Sequence, residues 1–232
     1  MTPPALNSPV LDDAPVVDEL LADIGRIPPT IPPERGDDGG RPAGEPERTP
    51  LVSNAVLGML AFLWAEAMFF AGLVAAFLYL RLGAPVWPPP FQPRLPVEVT
   101  AVNTVILLLS GLTLAQAFRA LRRGSRVGLV KGLVQTALLG AIFLGVQGYE
   151  WVRLVSFGLK LSSGTYGATF YTLIGMHGAH VFAALVWLSV ILIAASRGSF
   201  TARAHVPVLA CGMYWYFVIF LWPILYVLVY LK

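Results

Sequence analysis

Five side chains that could carry a proton, ligate a metal or hold a buried hydrogen bond lie inside long apolar stretches: Glu66, Gln147, Glu150, His177 and His180. Glu66 is the one carboxylate of "FLWAEAMFFAG" (62–72), whose flanks are long enough to bury it in lipid. An ionised carboxylate at that depth costs several kcal/mol or more. Three readings of Glu66 stay open. It is a neutral, hydrogen-bonded acid of the core, a form that burial favours. Or it pairs with a polar group on a neighbouring span or with an inward-reaching lipid headgroup. Or it lies on a proton path. Gln147 and Glu150 are three residues apart and share a helix face. Glu150 is nearer a span end, followed by Trp151 and Arg153, and reads as an interfacial carboxylate. His177 and His180, in "GMHGAHV" (175–181), are also three apart. Two ligands at that spacing are half of a zinc or iron site.

The rest of the ligand count argues against a metal. The one further histidine, His205, falls on a loop, and Cys211 is the one cysteine. Glu66 or Glu150 would have to complete any shell. Two intramembrane histidines on one helix could serve one haem at most. The pair reads instead as a packing and hydrogen-bonding element, with Gly175 and Gly178 allowing close approach, and no metal is expected in this chain. Cys211 has no partner for an intramolecular disulfide and reads as a small buried residue.

The elements that must position these residues are membrane helices. Of 232 residues, 56% are hydrophobic and 12% charged, against about 25% charged in a soluble domain. After Pro50 the apolar runs fall at 52–82, 98–120, 129–155, 166–195 and 206–230. Each is long enough to cross about 30 Å of hydrocarbon, and an isolated span must satisfy its own backbone, so helices are predicted. Small residues recur within them, among them Gly72/Ala75/Ala76, Gly128/Gly132, Gly140/Gly145 and Gly175/Gly178. Helices with such faces pack closely against protein. The fold class is all-α: a bundle of five transmembrane helices (51–232) behind a disordered tail (1–50).

The tail holds ten of the 13 acidic residues and 11 of the 19 prolines, a composition that cannot bury enough surface to order. One island, "VVDELLADI" (16–24), has helical spacing and reads either as a transient helix or as a helix docking on a further partner. The opening "MTPPALNSPVLDDAP" lacks the basic and apolar regions of a signal peptide. The pI of 9.2 averages an acidic tail with basic loops, and no basic aromatic patch points to nucleic acid. The loop holding Arg119, Arg122, Arg123, Arg126 and Lys131 belongs in the cytoplasm by the positive-inside rule. The tail, Arg197 and Arg203 are then inside as well, and Lys232 is in the periplasm. Inside segments carry eleven Lys/Arg and outside segments five.

Six stretches in order resemble the cytochrome c oxidase subunit III family of haem–copper oxidases. They are "FLWAEAMFFAGLVAAFLYLR" (62–81), "WPP" (87–89), "NTVILLLSGLTLAQA" (103–117), "QGYEW" (147–151), "GTYGATFYTLIGMHGAHV" (164–181) and "YWYFVIFLWPILY" (214–226). The resemblance implies a subunit without a redox cofactor or active site of its own. Such a subunit packs beside the catalytic subunit I that holds the haems and copper, and beside other oxidase subunits. It binds phospholipid and supports proton uptake and turnover stability in aerobic respiration. By the same resemblance Glu66 matches the family's carbodiimide-reactive intramembrane glutamate, His177 and His180 its histidine pair, and Gln147 and Glu150 its glutamine–glutamate motif. The chain is similar to the short, five-helix bacterial form, its Ala/Gly/Pro/Arg-rich composition suits a GC-rich prokaryotic genome, and a bacterial inner membrane is the expected location.

Two departures mark it. The family's "YWHFVD" is here "YWYFVI", with Tyr216 for the histidine and Ile219 for the aspartate. A polar contact of the last span is thereby lost, and any partner of Glu66 must come from elsewhere. The two first helices of the seven-helix form are replaced by the tail. Two alternatives stand beside the oxidase reading: an accessory subunit of a nitric oxide reductase system, and a free-standing proton-coupled transporter using Glu66. Against the transporter, no internal repeat or broken helix is visible.

Overall fold

The structure, a computed structural model, describes residues 53–90, 92–93, 95–201 and 205–231. The tail over 1–50 with its "VVDELLADI" stretch (16–24), and Arg94, Arg203 and Lys232 of the charge count, fall outside those residues.

Local signals fix the helix ends. The Ser53 hydroxyl accepts from the Val56 N–H at 3.4 Å and caps α1, Asn54–Leu82. Beyond Gly83 the prolines at 85, 88, 89 and 90 prevent continuation. α2, Val97–Arg122, follows Pro96, with Glu98 in its first turn and Arg119 and Arg122 in its last, each at the end the helix dipole favours. Three residues then reverse the chain. Gly124 takes the left-handed conformation (φ 70°), and the Ser125 hydroxyl accepts from the Gly128 N–H at 3.2 Å to start α3, Arg126–Ser156. α3 therefore begins three residues before the expected 129. The basic segment is mostly helix, with only a tight turn between. α4 runs Gly164–Ser196 and α5 Val206–Tyr230. Among the described residues these five helices correspond to the five predicted spans and no strand occurs. All five are long and apolar enough to cross a membrane, and the chain is a multi-pass membrane protein.

Helices α2 to α5 form a ring in which each packs on the next and α5 closes back on α2. α1 lies outside the ring, against α4 and α5, and approaches neither α2 nor α3. Burial follows this arrangement: 50% of the most apolar window of α5 is buried within the chain, against 11% for α1. α2 and α3 make the closest pair. A Cβ on Gly132 would stand 2.7 Å from the Ala117 Cβ and 2.9 Å from the Ala117 backbone nitrogen, so glycine is what permits the crossing. The predicted close packing of small residues is seen at Gly128, Gly132, Gly140 and Gly178. Gly72, Ala75 and Gly145 instead face outward from the chain.

Polar groups knit the ring together. Trp215 and Trp222 are seven residues apart on one face of α5, and both are wholly buried. The Trp215 indole N–H donates to Ser110 Oγ at 3.0 Å and the Trp222 indole to Thr104 Oγ1 at 2.8 Å, both on α2. Asn103 Nδ2 donates to the Phe143 carbonyl of α3 at 3.0 Å, and the Thr113 and Thr136 hydroxyls meet at 2.8 Å. Arg126 bonds the Ser196 carbonyl, which places the start of α3 beside the end of α4.

Candidate functional site: an intramembrane carboxyl–histidine contact

The inner face of α1 follows a three–four spacing. Val56, Met59, Leu63, Glu66, Phe70, Leu73 and Phe77 are all buried or half-buried. This is the seam that packs on the ring. Glu66 takes an apolar position of that seam, near the middle of the helix. Its partner comes from the middle of α4: Glu66 Oε2 lies 3.0 Å from His180 Nε2. The two side chains are 19% and 14% exposed, so the contact sits at the rim of the bundle rather than at its centre. The other ring nitrogen of His180, Nδ1, lies 2.7 Å from the Met176 carbonyl, one turn earlier on the same helix. A carbonyl oxygen only accepts, so Nδ1 is the donor there. Phe70 meets the imidazole edge-on at 4.9 Å between centroids and Phe69 stacks at 6.2 Å.

The remaining candidates separate. His177 is fully buried and makes no hydrogen bond to Glu66. Its ring stacks on Trp222 at 4.9 Å, and neither of its nitrogens has a hydrogen-bond partner. The two histidines thus play different roles, one polar and one as a flat packing surface. Gln147 and Glu150 lie on α3, which α1 does not approach. Gln147 Nε2 donates to the Tyr230 hydroxyl at 3.0 Å. Glu150 is buried within the chain: its side chain is only 6% exposed and meets Arg153, itself 47% exposed, at 3.3 Å. The reason is register. Phe143, Gln147, Glu150 and Leu154 repeat at three and four residues and form the buried seam of α3. Cys211 is buried, as a small apolar side chain would be.

Tyr216 and Ile219 also lie away from Glu66. The Tyr216 hydroxyl donates to the Gly111 carbonyl of α2 at 3.0 Å, and Ile219 covers the same glycine. The replaced pair belongs to the α2–α5 seam, where the tyrosine supplies a polar contact, and Glu66 finds its partner on α4 instead. Sequence reading missed Met176, whose carbonyl orients His180. The i−4 position of a helical histidine was the available signal.

Among the described residues no three His, Cys, Asp or Glu side chains come together as a metal would need. Glu66 and His180 could supply two ligands, and His177 is stacked on Trp222 instead. Chemically, the pair can hold and exchange a proton.

Fold and site together define a polytopic helical membrane protein with one carboxyl–histidine contact at mid-span. The family described as cytochrome c oxidase subunit III matches residues 45–232. Among similar proteins, cytochrome c oxidase subunit 3 of Synechocystis sp. is 37% identical over 177 residues, covering 76% of this chain and 75% of that protein. The subunit 3 of Oryctolagus cuniculus is 37% identical over 190 residues, covering 78% and 71%. That of Loxodonta africana is 36% identical over the same length. The chain belongs to the cytochrome c oxidase subunit III family.

Proposed function

We propose that this chain is the non-catalytic subunit III of a bacterial haem–copper terminal oxidase. In this reading it packs on the catalytic subunit I that carries the haems and copper, holds phospholipid, and sustains proton uptake and turnover stability. The N-terminus is cytoplasmic and the C-terminus periplasmic. The single observation that carries the reading is the family match, which takes in all five helices. The lipid component is supported by an outward groove of about 560 Å³ between the end of α3 and the first half of α4, bordered by Val155, Tyr171, Gly175 and Met176, with Lys160 at its edge. An apolar channel with an ammonium at one end suits an acyl chain below an anionic headgroup. Glu66, His177, His180, Gln147 and Glu150 serve as intramembrane polar contacts, with the catalytic chemistry in the partner.

Purification through a tag on this chain in mild detergent tests the reading. Haem absorption bands and a co-purifying multi-span catalytic subunit are expected. A colourless chain purifying alone from oxidase-competent membranes refutes it. Tyr216 and Ile219 favour one second reading, the nitric oxide reductase accessory subunit, and the haem type and partner in the same preparation decide between the two.

A further inference from the structure

The Glu66–His180 contact fixes how many protons the pair holds. His180 Nδ1 carries a hydrogen because the Met176 carbonyl, 2.7 Å away, can only accept. Nε2 then faces Glu66 Oε2 at 3.0 Å. With Nε2 bare and the carboxylate ionised, two lone pairs would confront each other at hydrogen-bond distance. One proton between them removes the conflict. It sits on the carboxyl and is donated to imidazole, or on the imidazole and is donated to carboxylate. In both forms the pair carries no net charge.

Among the described residues, the helices that α1 packs on offer no charge to neutralise the pair if that proton left. α1 packs only on α4 and α5, and neither helix contains an Asp, Glu, Lys or Arg. The titratable side chains that face the pair are His177 of α4, across the Phe70 ring, and Tyr214 of α5, close enough to feel the charge of Glu66. Arg81 of α1 lies about four turns further on and is committed to the Leu228 carbonyl at 2.9 Å. Deprotonation would therefore leave an uncompensated negative charge at mid-span, a state that hydrocarbon strongly disfavours.

α1 is also the helix least held by the rest. Among the described residues two hydrogen bonds tie its side chains to the ring, Glu66 to His180 and Arg81 to Leu228. Two hollows that share Leu80 mark a groove between it and α4, one by Pro85 and Thr165, the other bordered by Leu73, Thr169, Thr172 and Leu173. Its inner end lies about two turns from Glu66. We infer that Glu66 and His180 form a one-proton site that latches α1 to the ring, and that loss of the proton loosens α1 along this groove and admits water to the charge. The inference rests on the contact geometry and not on the oxidase reading.

The test uses the protein as purified, with whatever subunits accompany it, in lipid nanodiscs. Nitroxide labels are placed on Met68→Cys in α1 and Phe182→Cys in α4, both exposed positions. Infrared difference spectra against Glu66→Gln report whether residue 66 has lost its proton. The expected result is a single short distance while the pair holds the proton, and a longer population that grows as pH rises and the proton leaves. Glu66→Gln donates an amide hydrogen to Nε2 and has no proton to lose, so its distance stays short at every pH. Three results would overturn the proposal: a distance unchanged after deprotonation, a Glu66→Gln protein that loosens like the parent, or a pair that keeps its proton up to alkaline disassembly.

Discussion

Glu66 stands at a seam position that its neighbours fill with Leu63 and Phe70, and it is tolerated there because His180 offers a nitrogen at 3.0 Å. The hydrogen bond, rather than the charge, does the holding, and the two can be separated by substitution. Glu66→Gln keeps a donor toward Nε2, so assembly is expected to survive while carbodiimide labelling disappears. Recovery of the intact complex and labelled-peptide mapping check both halves. Failed assembly from this single change would give the carboxyl a structural role that the amide cannot fill. Removing the other partner has a different consequence. His180→Leu leaves a half-buried carboxyl without its hydrogen-bond partner and is expected to destabilise the folded protein by about 1–3 kcal/mol. The double change Glu66→Leu/His180→Leu removes both polar groups and should recover part of that loss, a coupling that thermal unfolding in detergent would reveal. A loss in the double variant equal to the sum of the losses of Glu66→Leu and His180→Leu alone would mean that the contact contributes no specific energy.

At the scale of the helices, the bundle depends on close crossings and on the indoles of α5. Gly132→Val drives a branched side chain into Ala117, so the α2–α3 pair must separate. A loss of about 1–3 kcal/mol is expected from overpacking. Gly145→Ala, which meets nothing within 4 Å, should be neutral or slightly stabilising through helix propensity. Trp222→Phe keeps most of the ring but deletes the donor to Thr104, at an expected cost of about 1 kcal/mol. Thermal melts of the three variants side by side check the ranking. The same crossings show what the sequence could and could not reveal. Helix number and approximate ends were legible because apolar length and prolines act locally, while the Ser125 cap and Gly124 turn that start α3 three residues early were not read. The contact between Glu66 and the histidine helix was one of several open readings. Its choice depends on α1 lying against α4, and no local signal carries that information. Spans of this kind are apolar on every face, so the periodicity that tells core from solvent in a soluble helix cannot tell core from lipid. The burial of Glu150 was illegible for the same reason. Its depth along the chain suggested an interface, while the buried seam it shares with Phe143 and Gln147 emerges only from neighbouring helices.

Charge is distributed unevenly between the two ends of the molecule. The end holding the α2–α3 turn and the close of α4 carries Arg119, Arg122, Arg123, Arg126, Lys131 and Arg197, and the Arg126 bond to Ser196 joins the two segments. The opposite end carries Arg81, Arg153 and Lys160, together with Glu98 and the buried Glu150. The proposed orientation puts the first end in the cytoplasm, since basic segments resist translocation. The two loops that flank α4 report this cleanly. The helix has 33 residues, about 50 Å at 1.5 Å per residue, so it cannot return to the side from which it entered. A cysteine at Ser199, beside Arg197, should react with a membrane-impermeant maleimide only in inverted vesicles. A cysteine at Ser162, beside Lys160, should react only in spheroplasts. Both serines are exposed, so neither change disturbs packing. Cys211 is buried and stays silent in the background. A reversed pattern would place the basic end outside and overturn the cytoplasmic N-terminus with it. Labelling of both positions from one face would mean that α4 does not cross the membrane, and the five-span arrangement would fall at the helix that carries His180.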